Sequence, residues 1–178
     1  MMKKRIFTAM LVLLLGTAAG CGGQTAASAL PENMPDDFAI RYANWIDPAA
    51  PNVYDTGAGL VQKDLADPQG QPTAQAALTV TDQTRQAIYD KLRACALDRL
   101  TDAPLHAADT GMSPLTEYEI TFTAGGQSYT VTGDSTAQIR AENDPDAAAF
   151  CDFVQYMDTL YRDSPAYQSL PPAVGGYD

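Results

Sequence analysis

The side chains that could do chemistry in this 178-residue chain are one histidine, three cysteines and 22 acids. A Ser-His-Asp arrangement would have to be built around His106. That residue sits in the irregular segment Leu105-His106-Ala107-Ala108-Asp109, and no G-x-S-x-G motif accompanies it. The expectation is a solvated loop histidine. Zinc requires three or four Cys, His or acid ligands at defined spacing, and a phosphate cradle requires a Gly-rich loop between a strand and a helix. The sequence offers neither, so no catalytic residue, no metal ligand set and no cofactor is assigned. Acids alone remain. Glu142-Asn143-Asp144-Pro145-Asp146 gathers oxygen ligands of the kind weak extracellular calcium sites use. The same residues also serve as a helix start, and no glycine-turned D-x-D-x-D-G loop is present. A carboxylate pair suited to glycoside hydrolysis cannot be singled out among 22 acids.

Aromatic residues are the second candidate. Nine tyrosines and the single Trp45 could line a recognition surface, since such rings combine contact area with a polar handle. Tyr42, Tyr118, Tyr129 and Tyr161 fall at strand or helix positions that point them into a core with their hydroxyls at its rim. Trp45, near the end of a strand, is the candidate for an exposed binding residue.

The chain opens Met1-Met2-Lys3-Lys4-Arg5, continues with an apolar run from Ile6 to Leu15, and reaches Ala18-Ala19-Gly20-Cys21. A basic segment, a short apolar segment and small residues before a cleavage point form a secretory signal. The apolar run is too short to cross a hydrocarbon core of roughly 30 Å. Ala18-Ala19-Gly20-Cys21 resembles the bacterial lipobox, with Ala18 where Leu is usual. The resemblance implies cleavage before Cys21 and a diacylglyceryl-modified, palmitate-bearing cysteine. The alternative is an ordinary signal cut after Gly20 that frees a secreted protein. Two or more acyl chains anchor stably, at ~0.8 kcal/mol per buried methylene. The expected location is the extracytoplasmic face of the cell membrane, with the membrane itself a partner through the lipid on Cys21.

Removal of residues 1–20 takes away Lys3, Lys4 and Arg5 and leaves 22 acids against 8 basic residues, a formal charge of −14. Such a body is repelled by nucleic acid, which is not an expected partner. The acids are spread along the chain, as on a solvated surface. With Cys21 lipidated, Cys95 and Cys151 form an even pair in a compartment where disulfides persist. Cys95 falls on the apolar face of a helix and Cys151 on the flank of another, which favours two free thiols over a bridge.

Residues 21–37 are small, polar and proline-broken and read as a lipidated flexible tether. The remainder, residues 38–178, fits a single domain. Phe38, Ile40 and Tyr42 alternate with Ala39, Arg41 and Ala43 as in a half-buried strand. Asn52–Leu65 reads as a second strand bulged at Gly57 and Gly59, and Thr73–Val80 as a third. From Thr81 the period becomes helical, with Ile88, Leu92 and Cys95 on one face. Residues 101–115 are irregular. Tyr118, Ile120 and Phe122 then turn through Ala124-Gly125-Gly126-Gln127 into a second strand of a hairpin. Asn143-Asp144-Pro145-Asp146 starts a helix carrying Phe150, Phe153, Val154, Met157, Leu160 and Tyr161, which Pro165 stops. The tail from Tyr167 is expected to dock without helix. The order βββαββα predicts an α+β fold, an antiparallel sheet of about five strands with two helices on one face.

That order, the Thr81–Leu92 helix start and the closing Tyr167-x-x-Leu170-Pro171-x-x-x-Gly175-Gly176-Tyr177 resemble a group of uncharacterised small α+β lipoproteins of Gram-positive bacteria. The resemblance implies fold and address, and carries no activity. Two functions fit. One is a non-catalytic binding module taking a protein, peptide or cell-wall partner. The other is a hydrolase of cell-wall glycan that uses acids alone.

Overall fold

A computed structural model describes residues 27–177 apart from Pro68 and Asp109. The expected export signal of residues 1–20 and the expected lipidation site Cys21 lie outside the described residues. Six strands form one antiparallel sheet: β1 (Ala39–Trp45), β2 (Asn52–Asp55), β3 (Leu60–Asp64), β4 (Thr73–Ala77), β5 (Glu117–Ala124) and β6 (Gln127–Asp134). Their spatial order is β4-β3-β2-β1-β5-β6. Helix α1 (Asp82–Ala94) follows β4, and a 3-10 turn (Leu97–Arg99) follows it. Helices α2 (Ala137–Arg140), α3 (Pro145–Asp163) and α4 (Pro165–Gln168) close the chain. The fold is α+β.

The strand count differs from the expected five because Asn52–Leu65 is a hairpin and not one bulged strand. The Asp55 carboxylate accepts from the Gly57 and Ala58 N–H groups at 2.9 and 2.8 Å. Gly59 adopts φ +64°, open to glycine without strain. The chain therefore reverses, and Tyr54 pairs with Val61 across the new strands. The tail also departs from expectation. Ser164 accepts from the Tyr167 N–H and caps the short α4, so Tyr167 and Gln168 are helical.

Alternation in β1 and β5 and the register between strands put Ile40, Tyr42, Tyr54, Val61, Ile120, Phe122 and Val131 on one face, each at most 2 % exposed. Both long helices cover this face. Thr81 and Asp144 cap them: the Thr81 hydroxyl accepts from the Thr84 N–H, and the Asp144 carboxylate from those of Asp146 and Ala147. From α1 come the buried Ile88, Tyr89, Leu92 and Cys95, and from α3 Phe150, Phe153, Met157 and Tyr161. Burial of each large side chain contributes about 1.5–3 kcal/mol. The start of α3 approaches β6 closely because residue 133 has no side chain. A Cβ there would lie 2.7 Å from the Phe150 ring and 2.6 Å from the Leu105 carbonyl oxygen. The opposite sheet face carries polar groups such as the Arg41–Glu119 ion pair and the Gln62–Gln75 hydrogen bond.

The stretch expected to be a flexible tether is seated from Ala27 onward. Leu30 is 5 % exposed within the core, and the Pro31 carbonyl accepts from the Tyr89 hydroxyl at 2.7 Å. The Asp98 carboxylate takes the Ser28 hydroxyl at 2.6 Å and the Ala29 N–H at 2.8 Å. The Asp37 carboxylate receives the Gly125 and Gly126 N–H groups of the β5–β6 turn, which hold it below the usual carboxylate range. Leu30, the partly buried Met34 and polar contacts of the backbone, Ser28 and Asp37 fix the segment, none of which an apolar period would reveal.

Candidate functional site

The covered sheet face is apolar at its centre and polar at one end. Strand β1 carries Ile40, Tyr42 and Asn44 inward in succession, and Asn44 pairs with Asn52 at the start of β2. On α3 the stripe Phe150, Val154 continues at the same spacing as Asp158 and Arg162. Where these two series meet, the fold leaves a cleft of about 220 Å³ lined by Asn44, Asn52, Asp64, Tyr118, Asp158 and Arg162, among others. A side branch of about 360 Å³ runs toward Lys63, Tyr167 and Gly176. A groove of about 650 Å³ leaves on the other side of Asp158 and Arg162, between α3 and the end of β6.

The floor of the cleft is a chain of satisfied hydrogen bonds. Asp158 Oδ1 accepts from the Tyr42 hydroxyl at 2.7 Å and from Asn44 Nδ2 at 3.2 Å. Asn52 Nδ2 donates to Asn44 Oδ1 at 2.9 Å, while Asn52 Oδ1 accepts the Asp64 N–H at 2.8 Å. The Tyr161 hydroxyl donates to the Gln62 carbonyl at 2.7 Å. At the rim the Tyr177 hydroxyl donates to Asp64 Oδ2 at 2.6 Å. Such a network holds its members in one geometry, since breaking any link would leave a half-buried polar group unpaired. Burial, then the Asp158 carboxylate, pushes the Tyr42 hydroxyl far above its ordinary pKa. Burial likewise raises Tyr161, and raises Tyr118 to about 12. These hydroxyls stay protonated, and those of Tyr42 and Tyr161 donate.

Arg162 differs from the rest. Its guanidinium lies 3.7 Å from Asp158, and its side chain is 67 % exposed. Its donors project into the cleft with one long ion pair to steady them, free to meet an incoming acceptor. The site therefore presents an exposed cation beside Asp158, with a second carboxylate, side-chain amides and a tyrosine ring lining the same cleft. That mixture suits neutral polar groups, such as hydroxyls and amides, better than a bare anion or cation.

The residues singled out in the sequence lie elsewhere. Trp45 is half-buried, pairs with Glu117, and alternates to the sheet face opposite Asn44. His106 is exposed, and its carbonyl accepts from Arg140 at 2.8 Å. Asp144, central to the acid cluster 142–146, is engaged by the N–H groups of α3 and by Arg140. The Ala147 N–H above all holds its carboxyl below the usual range. Among the described residues no three His, Cys, Asp or Glu side chains converge as metal ligands do. Cys95 and Cys151 are unpaired, the first buried and the second half-buried. Burial pushes the Cys95 thiol up to about 11 and raises Cys151 too, which leaves little thiolate at neutral pH. Asn44, Asn52, Asp64, Asp158 and Arg162 went unmarked in the sequence. The signal was a polar residue continuing an inward apolar series, at Asn44 on β1 and at Asp158 on α3.

No protein-family model matches the chain, and no curated protein matches it.

Proposed function

We propose that this chain is a lipid-anchored protein of the extracytoplasmic face of the cell membrane, akin to small α+β lipoproteins of Gram-positive bacteria. Its domain binds a neutral polar partner, a peptide, protein segment or cell-wall component, in the cleft around Arg162. The anchor rests on Ala18-Ala19-Gly20-Cys21 and the export signal before it. The observation that carries the binding reading is the contrast between a fixed polar floor and one exposed, loosely held guanidinium. Pre-arranged donors and acceptors lose little freedom when a ligand arrives.

A second reading has one observation in its favour: Asp64 and Asp158 line the same cleft. An acid-only hydrolase of cell-wall glycan needs such a pair. Each carboxylate, however, already accepts from a neighbouring hydroxyl, Asp64 from Tyr177 and Asp158 from Tyr42.

One titration separates the two. Soluble, uncharged N-acetylglucosamine oligosaccharides, the kind of glycan cell walls contain, added to the isotopically labelled domain should shift the side-chain amide resonances of Asn44 and Asn52 and be recovered intact. Cleaved fragments, lost in the D158N variant, would establish the hydrolase instead. Shifts confined to residues far from the cleft would remove the site from both readings.

A further inference from the structure

We propose that, in the anchored protein, residues 27–37 are an ordered spacer that lays the α1 flank against the bilayer and turns the polar cleft away from it. This rests on the lipid-anchor reading above. The seated segment follows α1 from end to end. The Arg85 guanidinium reaches the Phe38 carbonyl at 2.7 Å, the Tyr89 hydroxyl the Pro31 carbonyl, and Arg93 the Glu32 carbonyl at 3.3 Å. Asp98 then takes Ser28 and Ala29, and Arg99 donates to the Ala27 carbonyl. The chain thus runs antiparallel to the helix and reaches Ala27 beside the 3-10 turn.

Six residue steps separate Cys21 from Ala27, which extended span at most about 20 Å. A lipid on Cys21 therefore keeps the 3-10 turn close to the headgroups. The cleft opens at the far end of β1 from the seated segment. Strand β1 starts at Ala39, next to the seated segment, and reaches the cleft at Asn44, roughly 17 Å further on.

Charge agrees. Arg85, Lys91, Arg93 and Arg99, four of the 8 basic residues beyond residue 20, lie on α1 and its following turn. Counting Glu32, Asp36, Asp37, Asp82, Asp90 and Asp98 with them, and Asp152 which pairs with Lys91, this flank holds four bases against seven acids, while the rest holds four against fifteen. An anionic bilayer repels the flank least, and within a Debye length of roughly 8–10 Å that bias orients the body.

The test uses the mature lipidated chain in vesicles of phosphatidylglycerol and phosphatidylcholine that contain a headgroup-nitroxide lipid, a contact quencher of tryptophan. Trp45, the single tryptophan, reports the cleft end. The variant W45F/A94W places the reporter at an exposed position of α1. Should W45F fail to fold, A94W alone, read by difference, replaces it. The spacer account expects the introduced tryptophan to lose most of its emission and Trp45 to keep its own. Adding L30A and D98A, which unseat the spacer, should erase that difference. Equal quenching of both reporters in a chain that floats with the vesicles overturns the orientation and leaves the anchor standing. A chain that does not float, or a C21A variant that floats equally well, overturns the anchor and the orientation with it.

Discussion

The two ends of strand β1 are built from the same alternation and come to opposite uses. At its start, Phe38 and Ile40 are 2 % and 1 % exposed, and the Phe38 ring meets Tyr89 edge-on at 5.0 Å. At its end, Asn44 takes the next inward position but one and helps to line a cleft. Two residues along one strand separate the last fully apolar layer from a polar network. Tyr42 joins them, its ring buried at 1 % exposure and its hydroxyl on Asp158. The difference teaches that a sheet face is not a uniform element. Apolar burial is concentrated at one end of it and an open polar cleft at the other.

That division predicts unequal costs. Phe38→Ala, at the apolar end, should destabilise the domain by about 3–5 kcal/mol, read from urea unfolding of a soluble form lacking residues 1–21. Leu30→Ala should cost about 2–4 kcal/mol although the residue lies in a stretch composed like a linker. A loss below about 0.5 kcal/mol there would mean that the segment is not seated.

Alkaline titration probes the seam between the two ends. Burial raises Tyr54 and Tyr118 to about 12 and Cys95 to about 11, and holds Tyr42 and Tyr161 up as well. Each group binds its proton more tightly folded than unfolded. The stability it supplies is whole below the unfolded values, near 9 for the thiol and 10 for the phenols. That stability is lost as pH rises through the folded values, at up to about 1.4 kcal/mol per pH unit for each group. Unfolding and the tyrosinate absorbance should therefore rise together above pH 10. Ionisation of the buried Tyr42, Tyr54, Tyr118 and Tyr161 in a still folded protein would contradict this account of the burial. The smallest effect belongs to the cleft: Arg162→Ala should change stability by no more than about 0.5 kcal/mol.

Much of the fold was legible because it rests on local periods. The alternation in β1 and β5, the Thr81 start of α1 and the stripe of α3 all stand where the residues place them. Legibility failed where one side chain decides against composition. Asp55 folds a single expected strand into two by capping the Gly57 and Ala58 N–H groups. Leu30 and the carbonyls of Ala27, Pro31 and Glu32 seat a polar stretch. The candidate site was less legible still. Its parts lie far apart in the chain, 116 residues between Tyr42 and Asp158, and only the packing of α3 on β1 and β2 brings them together. Trp45 drew notice by type, yet the period of two turns it away from the cleft that its neighbour Asn44 enters.

The central claim, that the Asn44 end of the sheet is the face that meets a partner, is open to one direct measurement. A photoreactive amino acid placed at Ile46, on the cleft rim, is compared in intact cells with the same group at Thr130, exposed on the opposite sheet face. Irradiation should give a discrete adduct from position 46 that is absent from position 130 and is lost when Arg162→Ala is added. Equal adducts from both positions, or an adduct at 46 indifferent to Arg162, would contradict the account.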